Sequence, residues 1–164
     1  MFAQLDTKSV YSFMDSVVDL NSYVARAKEL GYQALGLMDR DNLYAAYHFA
    51  QLASRNGLRP LIGMEANLFY EGRKIPFRLL AKNNQGYKNL MKLATELSSG
   101  QREFTAFSDY LNAIALILPS EDWEPGMTLG SEVFIGVRPE DAGKEFDYPV
   151  VPLSTSFSFE NALP

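Results

Sequence analysis

The chain has 164 residues, enough for about one domain, and a formal net charge of −5. Apolar residues make up 47% of it, which excludes a disordered chain and favours a packed core. The absence of cysteine excludes disulfides, thiolate metal ligands and a cysteine nucleophile, and the acidic balance argues against a free-standing nucleic-acid binder with a basic surface.

Targeting and membrane signals are weak in this sequence. The N-terminus lacks a basic run followed by an apolar stretch, as a signal peptide would have. The longest nearly uncharged apolar run, residues 111–119, is too short to cross a bilayer. The sequence therefore predicts a soluble cytoplasmic protein without a membrane partner.

The first half of the chain alternates predicted strands and helices. Gly31 and Gly57 stand where left-handed residues commonly end helices, and Asn21 or Ser22 and then Asn42 can cap the two helix starts. The predicted elements are a strand over 2–8, a helix to about residue 30, a strand over 33–38, a helix over 43–56 and a strand over 59–62. This alternation predicts a parallel sheet or barrel with crossover helices.

The second half begins with a predicted hairpin, whose strands 66–71 and 75–81 flank the turn at 71–73. Asn83 or Asn84 can cap a third helix that runs to about Leu97. The later predicted strands are 112–118, 133–137 and 149–153, with a loop over 119–131 that carries two prolines and two glycines.

Four segments together resemble a known family. Residues 6–15 read Asp-Thr-Lys-Ser-Val-Tyr-Ser-Phe-Met-Asp, and residues 38–43 read Met-Asp-Arg-Asp-Asn-Leu. Residues 57–65 read Gly-Leu-Arg-Pro-Leu-Ile-Gly-Met-Glu, and a polymerase-like segment covers residues 79–91. In order and spacing they resemble the N-terminal PHP (polymerase and histidinol phosphatase) domain of bacterial DNA polymerase III alpha subunits, densely over residues 4–97.

The resemblance implies a fold, a context and a function. The fold is α/β, a PHP-type distorted (β/α)7 barrel of parallel strands alternating with helices, and we expect it to be truncated. Residues 1–164 would be a single PHP domain, the N-terminal fragment of a much longer polymerase chain. The intact subunit would be a DNA-directed DNA polymerase that uses Mg²⁺ downstream of residue 164, with DNA and replisome subunits as partners. The domain itself would pack against the remainder of the alpha subunit.

The chain departs from the family at the metal site, whose usual ligands are histidines and carboxylates. By position, Asp6 and Lys8 stand at the first two histidines, Arg40 at another, and Pro76 where a further ligand is expected. The positions of retained carboxylates are held by Asp39 and Glu65, and those of a final Asp-x-His pair by Thr155 and Phe157. These replacements leave three carboxylates and no imidazole.

Ammonium and guanidinium groups carry only hydrogen-bond donors and cannot ligate a metal. Alternate residues of a strand share a face, so Asp6 and Lys8 are expected to point the same way. We therefore expect an ion-pair cluster in place of the metals, with no metal, no cofactor and no catalytic residue in this domain. Its expected members are Asp6, Lys8, Asp39, Arg40, Glu65 and Arg78.

Two other functions remain open at this stage. An active metal-dependent PHP phosphoesterase or 3′-exonuclease would need imidazole ligands, and the only histidine, His48, has no histidine partner at helical spacing. A stand-alone binding module would keep the barrel for a ligand or partner. Lys82, Lys88 and Lys92 with Tyr87 form a basic, aromatic strip, for which a solvated helix face is the default and DNA or domain contact the alternative.

Overall fold

The computed structural model describes residues 3–12, 19–130, 132–141 and 143–153. Within these ranges the strands form one sheet whose spatial order follows the chain. The strands are β1 (Ala3–Gln4), β2 (Ala34–Arg40), β3 (Arg59–Tyr70), β4 (Arg73–Ala81), β5 (Ile114–Pro119), β6 (Val133–Val137) and β7 (Val150–Pro152). The helices are α1 (Leu20–Glu29), α2 (Ala46–Arg55) and α3 (Asn84–Ser98), with short 3₁₀ helices at Phe104–Tyr110, Ser120–Asp122 and Pro139–Asp141.

The predicted α/β fold with strands and helices in alternation is confirmed, and the sheet is mixed. β1, β2 and β3 pair in parallel, as do β5, β6 and β7. β4 runs against both of its neighbours because the predicted hairpin connects it directly to β3. At the turn, Glu71 and Gly72 have φ values of 50° and 79°, the left-handed pair that a tight two-residue hairpin turn requires.

β3 is longer than the sequence predicted, since the segments 59–62 and 66–71 are one continuous strand. Gly63, in the gap between the two predicted segments, is needed for close packing. A Cβ placed there would lie 2.7 Å from the Leu79 carbonyl oxygen and 2.9 Å from the Met38 side chain. The glycine therefore marks a tight approach between β3 and its surroundings rather than the end of a strand.

The ends of other elements also differ from prediction. Asp19 caps α1, accepting the Ser22 N–H at 2.9 Å, so the helix begins before Asn21. α2 begins at Ala46, because the Asn42 side chain instead accepts the Tyr44 N–H and closes a turn ahead of the helix. The predicted cap of α3 at Asn83 is confirmed.

Of the predicted first strand, 2–8, the structure describes residues 3–8, and these pair as a regular strand over Ala3–Gln4. The chain nevertheless stays beside β2, because the Thr7 carbonyl oxygen accepts the Met38 N–H at 2.7 Å. The Tyr23 hydroxyl of α1 donates to the Thr7 hydroxyl at 2.8 Å and so ties this segment to the helix. Residues 5–8 are therefore held in place without full strand pairing.

Apolar side chains cover both faces of the sheet. On the outer face, Leu35 and Leu37 of β2 pack against α1 and α2, while Phe77 and Leu79 of β4 join the larger core with α3. On the inner face, Met38 packs in one cluster with side chains from β4 to β6, namely Leu80, Ile117 and Phe134. Strands this far apart can share a cluster only because the sheet curls into a half-barrel. Over the residues that the structure describes, none of the helices combines the length with the apolar composition that a membrane span needs.

Candidate functional site

The inner face of β2, β3 and β4 brings charged side chains together. Side chains alternate between the two faces of a strand, so Arg40 shares the inner face with Met38. Glu65 of β3 lies directly opposite Arg78 of β4 in the antiparallel register. The segment after β1 adds Asp6 and Lys8. We call Asp6, Lys8, Arg40, Glu65 and Arg78 the inner ion-pair cluster.

Glu65 is the centre of this cluster. Its side chain is 3% exposed and contacts Lys8 Nζ at 2.9 Å through Oε2 and Arg40 Nε at 3.0 Å through Oε1. Arg78 Nη2 lies farther away, 3.9 Å from Oε2. Burial alone raises the pKa of Glu65, but the hydrogen bond and charge of Lys8, the hydrogen bond of Arg40 and the charge of Arg78 together lower it. The carboxylate is therefore held in its ionised form.

Asp6 and Arg78 form the second, more enclosed contact. Arg78 Nε donates to Asp6 Oδ2 at 2.9 Å, Arg78 Nη2 lies 2.8 Å from the same oxygen, and each side chain is only 10% exposed. In the described part of the chain, the other carboxylate oxygen, Asp6 Oδ1, and Arg78 Nη1 are buried without a hydrogen-bond partner. Two of the five polar side-chain atoms of the pair are thus buried without a hydrogen bond, which is unusual in a folded protein.

The prediction that Asp39 belongs to the ion-pair cluster was wrong. In the described part of the chain, Asp39 makes its contacts on the other face of β2. Asp39 follows Met38 and precedes Arg40, so its side chain points to the opposite face of β2. There it is 2% exposed and accepts hydrogen bonds from the Ser9 N–H at 2.6 Å, the Ser9 hydroxyl at 2.7 Å and the Ser12 hydroxyl at 2.7 Å. These three donors stabilise the carboxylate without a cation.

The remaining predicted site positions add no metal ligand to this arrangement. Pro76 lies opposite Asn67 in the β3–β4 register, two residues before Arg78, and has no side-chain donor or acceptor. Thr155 and Phe157 lie outside the described residues. His48 is exposed on α2. Within the described ranges, no group of three or more His, Cys, Asp and Glu side chains is placed to hold a metal ion.

Sequence reasoning missed a second ion pair at the end of β2. Asp41 has a φ of 55°, a left-handed conformation that aspartate tolerates better than most residues. Its carboxylate accepts the Asn67 N–H at 3.1 Å and pairs with Arg102 Nη1 at 2.6 Å. Arg102 is 61 residues away in sequence, so no local pattern could have identified it.

Sequence reasoning also missed the structural role of Ser9 and Ser12. Ser12 acts twice, because its hydroxyl also accepts the Arg40 N–H at 3.0 Å. The one available signal was the pair of serines three residues apart directly after a strand, a spacing typical of side chains that hydrogen-bond to nearby backbone. The two serines fasten the loop after β1 onto the end of β2.

Comparison with known proteins shows the family to which this half-barrel with its inner ion-pair cluster belongs. Residues 4–124 match the PHP domain family. The chain therefore belongs to the PHP domain family, which confirms the resemblance found in the sequence.

The curated relatives of the chain are much longer proteins. It is 47% identical over 137 residues to DNA polymerase III subunit alpha of Streptococcus pyogenes serotype M1, which covers 84% of this chain and 13% of the relative. It is 33% identical over 126 residues to DNA polymerase III subunit alpha of Bacillus subtilis (strain 168), 73% of this chain and 11% of the relative. The chain thus spans about an eighth of the length of these relatives.

One solved structure with a similar fold is a putative metal-dependent phosphoesterase from Bifidobacterium adolescentis, with a TM-score of 0.48 and 16% identity. The similarity covers 57% of this chain and 32% of that one.

Proposed function

We propose that the chain is the PHP domain of a DNA polymerase III alpha subunit and serves DNA replication in the cytoplasm. The identity of 47% over 84% of the chain supports this assignment. The relatives are about eight times longer, so the polymerase chemistry and its Mg²⁺ would belong to the remainder of the subunit. That remainder would be the domain's direct partner, and DNA and replisome subunits would be partners of the intact protein.

We propose further that this domain holds no metal at the family's site and has no phosphoesterase activity. The donor set does not fit a divalent cation, because Lys8 and Arg40 occupy both oxygens of Glu65 and Arg78 occupies an oxygen of Asp6. Ammonium and guanidinium groups carry no lone pair for a metal and repel its charge. Asp39 already accepts three hydrogen bonds on the other face of β2.

The remaining task of such a site is structural. Arg78 and Lys8 connect β4 and β3 to the segment after β1, which has little strand pairing of its own. Arg40 connects β2 to β3 through Glu65. The cluster therefore joins four consecutive parts of the half-barrel, which supports a scaffold that presents a fixed surface to the polymerase core.

The Glu65 contacts carry this proposal, and a nuclease assay tests it. The purified chain is incubated with Mn²⁺ or Zn²⁺ and a 3′-labelled DNA strand or a phosphomonoester, with and without a chelator. The Glu65→Gln variant, purified identically, reports contaminating nuclease. We expect equal, chelator-insensitive background for both proteins. Turnover that exceeds the variant's and disappears with chelator would overturn the proposal and establish the alternative, an active PHP phosphoesterase or 3′-exonuclease.

The stand-alone binding module is the second alternative, and the length of the native open reading frame separates it from the polymerase assignment. A reading frame that continues for roughly the length of the relatives supports the polymerase domain. A reading frame that stops near residue 164 contradicts it and favours the module.

A further inference from the structure

A groove of about 300 Å³ runs between α2 and α3, over the start of β3 and the end of β4. Tyr47 of α2 and Tyr87 of α3 stand on its two walls, and Arg59 and Lys82 line it between them. The sequence analysis grouped Tyr87 and Lys82 in one basic, aromatic strip. The structure adds Tyr47 and Arg59, which are distant in sequence, to the same groove. None of the five residues of the inner ion-pair cluster lines it.

The charge of this region differs from that of the whole chain. Two of the residues that line the groove, Arg59 and Lys82, are cationic, although the chain has a net charge of −5. No Asp or Glu lines the groove. Lys82 is paired with Glu132 at 2.5 Å, but Arg59 has no acidic partner in the described part of the chain. Lys88 and Lys92 are exposed on α3, and Lys88 lies one helical turn after Asn84, which lines the groove. An anionic occupant complements this surface.

The aromatic side chains indicate a second property of the occupant, which is the ability to stack on their rings. Tyr47 is 70% exposed, and its hydroxyl accepts a hydrogen bond from Gln51 Nε2 at 2.7 Å, which steadies the phenol on the helix surface. Tyr87 is half-buried on the facing wall. Aromatic rings interleaved with cations along a groove are the arrangement that binds unpaired nucleic-acid strands, because bases stack on the rings while phosphates meet the cations.

We propose that this groove binds an unpaired nucleic-acid strand, with a base stacked on Tyr47 and phosphates beside Arg59, Lys88 and Lys92. Neither the metal site nor the polymerase assignment enters the argument, so its failure would leave both untouched. A strand that lacks phosphate charge would contact only the aromatic rings, and a strand that lacks unstacked bases would contact only the cations.

Fluorescence anisotropy with labelled oligo(dT) and oligo(U) of about 15 nucleotides tests the proposal on the purified chain. With about three phosphates neutralised, the logarithm of the association constant should fall with the logarithm of salt concentration at a slope of about −2. The two oligomers distinguish the sugar. Saturable binding of either one supports the proposal, and binding of neither at low salt overturns it.

Matched variants place the binding in the groove. Tyr47→Ser should weaken binding by about 5-fold or more. Tyr44→Ser removes a tyrosine that is 78% exposed but does not line the groove, and it should change binding less than about twofold. Arg59→Gln should weaken binding and flatten the salt slope by nearly one, whereas Lys74→Gln, an exposed hairpin lysine, should not. Equal effects within either pair would overturn the assignment to this groove. Urea unfolding confirms that each variant is folded.

Discussion

Glu65 and Arg78 face each other directly across the β3–β4 pair, yet each makes its shortest ionic contact elsewhere. Glu65 binds Lys8 at 2.9 Å and Arg40 at 3.0 Å, while Arg78 binds Asp6 at 2.8 Å, and 3.9 Å separates the two facing side chains. The facing pair thus divides its partners between the segment after β1 and the end of β2. Both of these parts become attached to the antiparallel hairpin, which explains why the site would keep its charges without a metal.

Removing Arg78 should be strongly destabilising. In Arg78→Met, the Asp6 carboxylate stays largely buried and loses its only described cation. The expected loss is about 3–5 kcal/mol in the free energy of unfolding, measured with urea. Arg73→Met serves as the control, because the Arg73–Glu124 pair is exposed and should contribute at most about 1 kcal/mol. Similar losses in the two variants would contradict a structural role for the buried pair.

The double variant Asp6→Asn/Arg78→Met separates pairing from packing. Because it removes both charges, it should recover part of the stability lost in Arg78→Met. The free energy of unfolding of Asp6→Asn alone is the reference. If the double variant is less stable than Arg78→Met by the whole loss that Asp6→Asn causes on its own, the two side chains are not energetically coupled.

The stability of the chain should fall in acid partly through Glu65. Its pKa is lowered in the folded state, so it contributes stability above its unfolded pKa that is lost as the pH falls through the folded value. Unfolding free energies measured from about pH 7 to pH 3 should therefore decline below about pH 5. Glu65→Gln should be less stable at neutral pH and should decline less steeply. An equally steep decline in the variant would show that Glu65 does not titrate as described.

Ser12 should matter more than its size suggests. Its hydroxyl donates to the buried Asp39 at 2.7 Å and accepts the Arg40 N–H at 3.0 Å. Ser12→Ala should cost about 1–3 kcal/mol, since it leaves buried polar groups unpaired. Ser108→Ala, at an exposed serine that bonds only to its own turn, should change stability by less than about 0.5 kcal/mol. Thermal unfolding at neutral pH measures both, and equal shifts would contradict the role assigned to Ser12.

One substitution should stabilise the chain. Glu71 adopts a φ of 50° in the hairpin turn, and asparagine before glycine suits this conformation best. Glu71→Asn should add about 0.5–1 kcal/mol to the free energy of unfolding. Glu71→Val, whose branched side chain disfavours positive φ, should lose stability instead. The reverse order of the two variants in a urea titration would refute the turn geometry.

The fold could be predicted where local chemistry determines it, as at the capping residue Asn83 and the hairpin turn at Glu71 and Gly72. Prediction failed where tertiary packing assigned a residue another role. Gly63 lies between two segments predicted as separate strands, and it allows close packing inside the single strand β3. Asparagine is a common helix cap, but Asn42 instead closes a turn ahead of α2.

The candidate site could be predicted to the extent that it follows strand alternation. Asp6 and Lys8 meet Arg78 and Glu65, as the period of two over the predicted strand 2–8 indicated, although this segment is not a regular strand. The same alternation separates Asp39 from Arg40, which a comparison of motif positions alone did not reveal. Partners from distant segments, such as Arg102 for Asp41, depend on the folded chain and leave no pattern in the sequence.

Metal content is the most direct test of the account. The purified chain is dialysed against Zn²⁺ or Mn²⁺, freed of unbound ions and measured by elemental analysis, with Glu65→Gln as the matched control. The account predicts well below one equivalent of metal per chain and no difference between the two proteins. A stoichiometric metal that is retained by the chain and lost in Glu65→Gln would contradict it.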